Sequence, residues 1–593
     1  MTRVDSSPLS ERVRDTRRLF SELGVSGFLI TRGDEYLGEY VAPYAERLAW
    51  LTGFTGTAGL AILLEEQGAV FSDGRYTVQM EQQVPHDLWE RCHNGFTSPR
   101  DWLAQKASHD GHILKIGFDP RLVSKSQYDS WQTDYVEFIP LSKNPIDLAW
   151  KDQPPPPYLP VALHELIYTG EESLSKRQKI ARALKDNHQH AMIIADGTSL
   201  AWLLNIRGHD VPMTPVAHGY GILHNDATID LFISPERFET RPDDSVTLLT
   251  PEMLLQKLSE LNKKTVRLDP ATTPLWFTLE LEKAGAEIVF AQDLCTLPKA
   301  IKNPVEQEGA RKAHLEDAVA MAKFLHWIEQ EGCGKSETEL AERLGRFRAL
   351  SADYREDSFE TISAIGPNGA YPHYRAIRGH DKIAAPNQVY LVDSGGQYPY
   401  GTTDLTRTLW IGPEKPPAAL RKAYTNVLKG HIALSQARFP RHMPGYRLDS
   451  LARQFLWQEG LDYDHGTGHG IGSYLSVHEG PQSISAAPRP TGLEAGMIIS
   501  NEPGYYKEGH YGIRIENLLL IKESHVGEEE GKFLEFEVLT HTPIDKQMIE
   551  ISLLTQRERE WLDDYHTKVR KLLLPYLDKG LHPWLIKSCA PLL

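Results

Sequence analysis

Cysteine is scarce in this chain. Only four occur among 593 residues, at Cys92, Cys295, Cys333 and Cys589, and no two of them form a Cys-x-x-Cys pair. This spacing argues against a disulfide framework and against a thiolate zinc site. A reducing compartment suits such cysteine usage, and we therefore expect a cytoplasmic protein.

Long apolar runs and an excess of basic charge are also missing. The opening segment MTRVDSSPLSERVRDTRRLF is charged and has no apolar core, so it does not predict a secretory signal. The uncharged residues 48–64 include three threonines and three glycines, which favours a turn and a buried strand over a membrane span. With 64 basic against 80 acidic residues and a net charge of −16, the chain does not predict a general nucleic-acid binder or a binder of anionic membranes.

A proline run and a short repeat predict several domains. Residues 154–157 are consecutive prolines, which cannot continue a helix or a central strand and therefore predict a linker. The letters LAWL occur on both sides of it, at 48–51 and 200–203, each time after an apolar strand-like run and before a glycine-bearing turn. A match this short can arise by chance, but the shared order of elements favours a duplicated α/β domain.

The pattern changes near Lys299. The segment NPVEQEGARKAHLEDAVAMAKFLHWIEQ has apolar residues at helical spacing and predicts a long amphipathic helix. From about Val389 two strand pairs follow, QVYLVDSGGQYPYGTTDLTRTLWI with a Gly-Gly turn and MIISNEPGYYKEGHYGIRIENLLLI. The tail from Leu554 is mostly helical by its apolar spacing. We divide the chain into residues 1–157, 158–303 and 304–593.

Five side chains of metal-binding type lie in this last region: Asp393, Asp404, His469, Glu502 and Glu516. Four carboxylates placed together carry about −4 charges, which two divalent ions would cancel. Two bridged ions in an oxygen-rich site can turn water into a nucleophile that cuts a resistant bond. The residues therefore predict a dinuclear hydrolytic site.

Each of these residues also has a simpler explanation. Asp393 precedes a Ser-Gly-Gly run and can merely start a turn. Glu516 lies in the apolar segment GIRIENLLL and can form a salt bridge with Arg514 on the same strand face. The glycines around His465 and His469 exclude a zinc-protease helix and favour a strand or tight loop. A phosphate-binding loop would need a following helix and a lysine, which SYLSVHEGP does not supply.

Taken together, the segments DSGG, TTDLTRT, HGTGHGIG, VHEGP, NEPGYY and GIRIEN resemble the motifs of the pita-bread metallopeptidases, family M24. The chain is similar in particular to the long, three-domain form of the aminopeptidase P group, because LGEY, WLTGFTGTAG, SDGRY and NIRGHDVPMTPV extend the likeness over nearly the whole chain. The resemblance implies an α/β (α+β) architecture. Two related creatinase-like domains, residues 1–157 and 158–303, would precede a pita-bread catalytic domain with a C-terminal extension, residues 304–593.

The resemblance also implies an activity and a role for each metal ligand. The enzyme would release the N-terminal residue from peptides that have proline in the second position. Asp404 and Glu516 would bridge two ions, with Asp393 completing one site and His469 and Glu502 completing the other. A hydroxide held between the ions would attack the Xaa-Pro amide, and Glu502 would move the proton.

Five positions match residues that line the substrate pocket of this family. His373 would lie near the scissile bond, and His465 and His478 would line the substrate pocket and steady the tetrahedral intermediate. Tyr506 and Arg514 match a polar pair near the same site.

The resemblance further implies cofactors and assembly. The carboxylate-rich ligand set favours Mn²⁺, although Co²⁺ or Zn²⁺ can occupy such sites. We expect a homodimer joined through the catalytic domain. The aromatic tail around Trp561, Tyr565 and Trp584 would contribute to it, unless the tail packs on its own domain. The chain departs slightly from its relatives at Asn501, where aspartate is common, and at His510, which we expect in a solvated turn.

Other functions stay open on the sequence alone. A pita-bread protein that had lost its metals would be a peptide-binding module, but this chain keeps all five ligands. A creatinase-like hydrolase would share the fold and work without metals. A prolidase-like dipeptidase would cleave only Xaa-Pro dipeptides.

Overall fold

The structure is a computed structural model that describes residues 8–110, 113–526 and 531–592. The first residues of the predicted non-secretory N-terminus lie outside this part of the chain. The chain divides into two compact units: the first extends to Thr296 without Leu166–Gly170, and the second contains that segment together with the chain from Leu297 onward. No helix in the described ranges is both long and apolar enough to cross a lipid bilayer.

The first part of the first unit is a six-stranded sheet in the order β4-β3-β2-β1-β5-β6. Its strands are β1 Gly27–Thr31, β2 Leu60–Leu64, β3 Gly68–Ser72, β4 Glu90–His93, β5 Leu114–Phe118 and β6 Val136–Pro140. The helices around it are α1 Leu9–Arg18, α2 Phe20–Leu23, α3 Arg47–Thr52, α4 Thr77–Gln83, α5 Pro99–Asp110, α6 Lys125–Trp131 and α7 Pro145–Ala149. All five residues of β1 are buried, as expected for a central strand covered on both faces.

The elements between residues 158 and 303 repeat this plan. The strands are β7 Ala162–Leu163, β8 Ala191–Ile194, β9 Ile206–Arg207, β10 Tyr220–His224, β11 Ile229–Phe232, β12 Val246–Leu249, β13 Thr265–Leu268 and β14 Glu287–Phe290. The helices are α8 Leu166–Thr169, which belongs to the second unit, α9 Ser173–Asp186, α10 Gly197–Leu204, α11 Leu254–Ser259, α12 Leu275–Ala284 and α13 Thr296–Ala300.

The second sheet has the order β12-β11-β10-β8-β13-β14. Its strand directions match those of the first sheet, because β8 is antiparallel to β10 and parallel to β13, as β1 is to β2 and β5. Both LAWL segments lie in equivalent helices, α3 and α10, each between the central strand and the strand antiparallel to it. The predicted duplication of an α/β domain is therefore confirmed.

The remaining helices belong to the second unit. They are α14 Pro304–Glu331, α15 Glu337–Arg348, α16 Ala418–Ser435, α17 Asp449–Trp457, α18 Gln556–Leu573 and α19 His582–Ser588. The long helix predicted after Lys299 is α14. It begins at a capping box in which Asn303 accepts from the backbone of Glu306 and the Glu306 side chain accepts in return from Asn303.

The strands of this unit form two main sheets. They are β15 Glu356–Asp357, β16 Ile362–Ile365, β17 Gln388–Ser394, β18 Gly396–Tyr398, β19 Gly401–Thr402, β20 Leu405–Ile411, β21 Arg438–Pro440, β22 Gly468–Gly470, β23 Glu479–Ile484, β24 Ile498–Asn501, β25 Gly504–Lys507, β26 Tyr511–Arg514, β27 Asn517–Glu523 and β28 Phe533–Val538. One sheet has the order β16-β17-β20, and the other has the order β21-β28-β27-β24-β22-β23.

Each predicted strand pair is in fact two nested hairpins. In the first, β17 pairs with β20 and the inner strands β18 and β19 pair with each other; in the second, β24 pairs with β27 around the inner pair β25 and β26. The predicted Gly-Gly turn is wrong, because the chain reverses between Tyr398 and Gly401. Gly395 instead lies where an added Cβ would meet the carbonyl oxygen of Thr403 at 1.9 Å, so glycine permits a close backbone approach there.

The C-terminal helices pack on their own unit. Trp561 stacks on Tyr565 with ring centroids 5.5 Å apart. Tyr565 and Trp584 are buried in the hydrophobic core that also contains Phe324 and Tyr424. The second of the two expectations for the aromatic tail, packing within its own domain, is therefore correct.

Candidate metal centre

The four acidic residues lie where the outer strand pairs give way to the inner hairpins. Asp393 is near the end of β17, and Asp404 immediately precedes β20. Glu502 lies between β24 and β25, and Glu516 lies between β26 and β27. Asp404, Glu502 and Glu516 thus lie outside the named strands, and Asp393 lies one residue from the end of its ladder, so the four side chains can face a common site.

The placement of Glu516 corrects one expectation. The alternation in GIRIENLLL predicts Glu516 inside a continuous strand, with a possible partner in Arg514. Instead the strand breaks at Ile515 and Glu516, and Arg514 donates to Asp393 at 2.6 Å. The carboxylate of Glu516 accepts from the hydroxyl of Thr406 at 2.8 Å.

The predicted ligands converge although they are far apart in sequence. Possible ligand atoms of Asp404, His469 and Glu516 all lie within 4.8 Å of one another. The Nε2 atom of His469 is 3.4 Å from Asp404 Oδ2 and 3.6 Å from Glu502 Oε1. Asp393 is near enough for its negative charge to raise the pKa values of Asp404, Glu502 and Glu516.

This cluster is short of positive charge. Burial and neighbouring carboxylates raise the pKa of Asp404 to about 6, and they raise the pKa values of Glu502 and Glu516 as well. Burial alone would lower the pKa of His469, but its hydrogen bond to Asp404 and the charge of Glu502 raise it to about 9. A proton on His469 thus supplies part of the positive charge that a bound metal ion would otherwise provide.

Three carboxylate oxygens fit direct metal coordination. Asp393 Oδ1, Asp404 Oδ1 and Glu516 Oε1 are buried and have no hydrogen-bond donor within the described residues. Buried acceptors without a partner are costly in a folded protein, and a bound cation removes that cost. Carboxylate oxygens with one imidazole nitrogen suit borderline-hard divalent ions, so the residues present fit a dinuclear centre.

Neighbouring groups orient the ligands. Nδ1 of His469 is 3.0 Å from the carbonyl oxygen of Gly470, which directs Nε2 toward the carboxylates. The hydroxyl of Ser500 accepts from the backbone N–H of His469 at 2.9 Å and donates to Glu502 at 3.3 Å.

Sequence reasoning missed both Ser500 and Thr406. Each is two residues away from a predicted ligand, since Thr406 follows Asp404 and Ser500 precedes Glu502. The two-residue period of strands, applied to short hydroxyl side chains beside the ligands, is the signal that would have found them.

The predicted substrate residues Tyr506 and Arg514 lie together beside Asp393. The hydroxyl of Tyr506 is 2.8 Å from His465 Nε2 and accepts from Arg514 Nη1 at 2.5 Å. Arg514 also donates to the carbonyl oxygen of Pro372, directly before His373, at 3.2 Å. Hydrogen bonds therefore connect His465 to a predicted metal ligand.

The remaining predicted residues lie at different depths. The ring of His478 meets that of His469 edge to face, with centroids 4.4 Å apart. His373 is half-buried in the turn that follows Gly366–Ala370. His510 is exposed in the turn between β25 and β26, as predicted. Asn501 is buried and donates to the carbonyl oxygen of His431 and to Ser435, away from the ligands.

Comparison with protein families agrees with this architecture. Two segments match the Creatinase/Prolidase N-terminal domain, residues 12–147 and 152–306. Residues 308–523 match Metallopeptidase family M24, and residues 532–592 match the C-terminal region of peptidase M24.

Individual proteins resemble the chain over its full length. A protein of Laccaria bicolor named "Probable Xaa-Pro aminopeptidase P" is 35% identical, with 98% of this chain and 94% of the relative aligned. "Aminopeptidase P2" of Arabidopsis thaliana is 35% identical over 98% of this chain and 89% of its own length. The solved X-prolyl aminopeptidase of Caenorhabditis elegans, described as a cytosolic enzyme with a dinuclear active site, is 32% identical with a TM-score of 0.92 and covers 99% of this chain and 100% of its own. The chain therefore belongs to metallopeptidase family M24 and, within it, to the Xaa-Pro aminopeptidase P family.

Proposed function

We propose that this protein is a dinuclear metallo-aminopeptidase that releases the N-terminal residue from peptides with proline in the second position. One observation carries the proposal: Asp404, His469 and Glu516 converge within 4.8 Å, and two of these residues keep buried oxygens that no donor in the described part of the chain reaches. Full-length similarity to proteins named Xaa-Pro aminopeptidase adds the substrate class. A peptide-binding module without metals or a creatinase-like enzyme would not need this ligand set.

The proposed division of ligands is the one that the resemblance to the family implies. Asp404 and Glu516 would be shared by two ions, Asp393 would complete one site, and His469 and Glu502 would complete the other. When bound, the ions would lower the pKa of a coordinated water and polarise the scissile carbonyl. Manganese is the proposed metal because carboxylate oxygens dominate the donor set, with Co²⁺ or Zn²⁺ as substitutes.

Glu502 is the proposed proton carrier. Its raised pKa suits a carboxylate that takes a proton from the attacking water and returns it to the leaving nitrogen. The hydroxyl of Ser500, 3.3 Å from Oε1, would hold this carboxylate in one orientation.

The scissile bond explains the need for surrounding donors. An Xaa-Pro amide has no N–H, so the enzyme must hold the carbonyl oxygen and the proline ring instead. We assign this task to His373, His465 and His478. The rings of His373 and His478 would donate to the carbonyl oxygen and to the oxyanion that develops there. His465, whose ring nitrogens contact Gly466 and Tyr506, would line the pocket. Tyr506 and Arg514 would set the position of His465 and the charge near Asp393.

Assembly, location and domain limits complete the proposal. We propose a homodimer joined through the catalytic domain, a peptide substrate, and no nucleic-acid or membrane partner.

A cytoplasmic location is supported by four cysteines that form no disulfide in the described chain and by the cytosolic description of the Caenorhabditis elegans relative. The proposed domains are residues 1–157, 158–303 and 304–593. Light scattering that gave a monomer mass at micromolar concentration would reject the dimer.

The decisive experiment is cleavage of matched peptides. Protein freed of metal and reloaded with Mn²⁺ is incubated with Ala-Pro-Ala, Ala-Ala-Ala and the dipeptide Ala-Pro, and free alanine is measured. We expect release of alanine from Ala-Pro-Ala but not from Ala-Ala-Ala. Cleavage of the dipeptide alone would favour a prolidase-like enzyme, and no cleavage by folded, metal-loaded protein would reject the proposal. Asp404→Ala is the inactive control.

A further inference from the structure

Arg407 is a buried cation that meets no carboxylate among residues 8–110, 113–526 and 531–592. Its side chain is 0% exposed, and its six hydrogen bonds all go to uncharged oxygens in the described chain. Burying a guanidinium is costly unless its donors are satisfied, and here carbonyl, amide and phenol oxygens satisfy them. These hydrogen bonds require the surrounding carbonyl, amide and phenol oxygens to keep specific positions.

The partners of Arg407 fall into two groups. Three belong to the C-terminal region: the carbonyl oxygens of Thr542 and Pro543 at 2.8 and 3.1 Å, and the hydroxyl of Tyr565 at 2.9 Å. The other three lie in the chain segments that carry metal ligands, namely the carbonyl oxygens of Thr406 and Glu516 and the amide oxygen of Asn517. Arg407 thus joins the C-terminal region to these segments.

Glu516 is held at three atoms by Thr406 and Arg407. Its backbone N–H donates to Thr406 O at 3.1 Å, its carbonyl oxygen accepts from Arg407 Nη1 at 2.6 Å, and its carboxylate accepts from the Thr406 hydroxyl at 2.8 Å. Thr406 follows Asp404 by two residues on the same segment. The two carboxylates proposed to bridge the ions are therefore coupled through this short stretch of β20.

The connection continues from Glu516 to the backbone beside Glu502. Arg407 donates to the Asn517 side chain at 2.8 Å, and the Asn517 amide is 3.1 Å from His431 Nε2. His431 Nδ1 is in turn 3.2 Å from the carbonyl oxygen of Asn501, which faces Asn517 across the strands and precedes Glu502. One buried network therefore reaches the backbone beside both Glu502 and Glu516.

We propose that Arg407 is a positioning residue for the metal centre, and that the C-terminal region acts through it to fix the spacing of Asp404, Glu502 and Glu516. The inference rests on the proposed dinuclear site. Small displacements of ligands weaken metal binding strongly, and loss of groups that support a ligand commonly costs about 10- to 100-fold in affinity. Lysine cannot replace Arg407, because its three donors cannot reach six acceptors spread around a planar fork.

The test compares Arg407→Lys and Tyr565→Phe with a matched control, His566→Gln. Tyr565→Phe removes one hydrogen bond from the C-terminal side of Arg407. His566 is the next residue of the same helix, is 0% exposed and accepts from the backbone N–H of Ile544, but it is not among the hydrogen-bond partners of Arg407. Titration calorimetry measures the affinity and stoichiometry of Mn²⁺, and thermal unfolding with and without Mn²⁺ measures the shift in Tm.

We expect Arg407→Lys to bind Mn²⁺ about 10- to 100-fold more weakly than wild type. Tyr565→Phe should also bind Mn²⁺ more weakly, but by a smaller factor. Both variants should show a smaller metal-induced rise in Tm than wild type. His566→Gln should lower Tm but keep the wild-type affinity. Unchanged affinity in folded Arg407→Lys would overturn the inference, as would an equal loss in His566→Gln. If Arg407→Lys does not fold, unchanged affinity in Tyr565→Phe overturns it. Wild-type protein that binds no ion would reject the proposed function itself, and the inference with it.

Discussion

Arg514 donates a 2.6 Å hydrogen bond to Asp393, although 121 residues separate them in sequence. Burial opposes the charge of Arg514, but Tyr506, Asp393 and Glu502 around it raise its pKa well above the ordinary value. The guanidinium therefore stays charged and holds one oxygen of Asp393, while Asp393 Oδ1 keeps no donor among the described residues. One carboxylate thus faces a fixed cation on one side and the proposed ion on the other.

Replacing this guanidinium should impair catalysis without unfolding the protein. Arg514→Lys keeps a positive charge but cannot donate at once to Asp393, Tyr506 and Pro372. Loss of one charge-assisted hydrogen bond costs about 1.5–3 kcal/mol, which predicts a fall of about 10- to 100-fold in kcat/KM. Steady-state kinetics with a proline peptide measure the change.

An exposed arginine provides the control for this substitution. Arg346 lies on the exposed side of α15, and Arg346→Lys should leave kcat/KM at the wild-type value. Equal kinetics for Arg514→Lys and wild type would show that the contact with Asp393 does not matter for the reaction.

Sequence reasoning reached the ligand types, the duplicated domain and the long helix because each has a local signal. The two LAWL segments mark equivalent helices, and the capping box of α14 lies within four consecutive residues. The hydrogen-bond partner of Arg514 could not be predicted from such a local signal. Strand alternation offered Glu516, but the strand breaks at Ile515 and Glu516. The pairing of β24 with β27 reaches only to Asn517, and the backbone N–H of Glu516 donates to Thr406 of β20 instead.

The nested hairpins were beyond sequence reasoning for a similar reason. Gly395 looks like a turn residue, yet its function is to let the backbone of Thr403 approach. Arg407 has an ordinary basic side chain in the sequence TRT, and nothing local indicates that it is buried among distant carbonyl oxygens. Local chemistry identified what the site contains, whereas the supports of the site depend on chain segments brought together by folding.

Removing a proposed shared ligand should abolish both metal binding and turnover. Asp404→Asn preserves the shape of the side chain but removes its charge, so neither ion would keep its full ligand set. Since loss of a supporting group alone costs up to about 100-fold, loss of a bridging ligand should reduce kcat/KM by more than about 100-fold. Elemental analysis after dialysis should find fewer ions per chain than in wild type. A variant with full metal content and full turnover would contradict the assignment.

Ser500 should affect the chemical step more than substrate binding. Ser500→Ala removes the hydroxyl that donates to Glu502 and accepts from the backbone of His469. With its carboxylate less well oriented, Glu502 should transfer the proton more slowly, which predicts a fall of about 10-fold in kcat with little change in KM. Ser259→Ala, at an exposed position of α11 far from these ligands in sequence, is the control. A rise in KM with unchanged kcat would place Ser500 in substrate binding instead.

Acid should weaken the C-terminal region through His566. Burial and the positive charges of Lys546 and Arg407 lower the pKa of His566 to about 3, whereas an unfolded chain has a histidine pKa of about 6.5. Between these values the unfolded state binds the extra proton, so the stability present above pH 6.5 is lost as the pH falls. Glutamine does not titrate. The free energy of unfolding of wild type, relative to that of His566→Gln, should therefore fall by about 1.4 kcal/mol for each pH unit below pH 6.5. Urea unfolding in chelator at several pH values measures the difference, and a constant difference would contradict the prediction.

The metal affinity of the wild-type protein should rise with pH. Without metal, the pKa of His469 is raised to about 9 and that of Asp404 to about 6, and the pKa values of Glu502 and Glu516 are raised as well. An entering ion must therefore displace protons from these ligands. Each displaced proton weakens the apparent affinity about tenfold per pH unit. Calorimetry with Mn²⁺ between pH 5 and 8 should therefore give an affinity that falls with falling pH, with a slope that steepens as more ligands bind protons. The metal-induced rise in Tm should shrink over the same interval, with protein in chelator as the baseline. Affinity independent of pH would mean that the ions bind somewhere other than at these side chains.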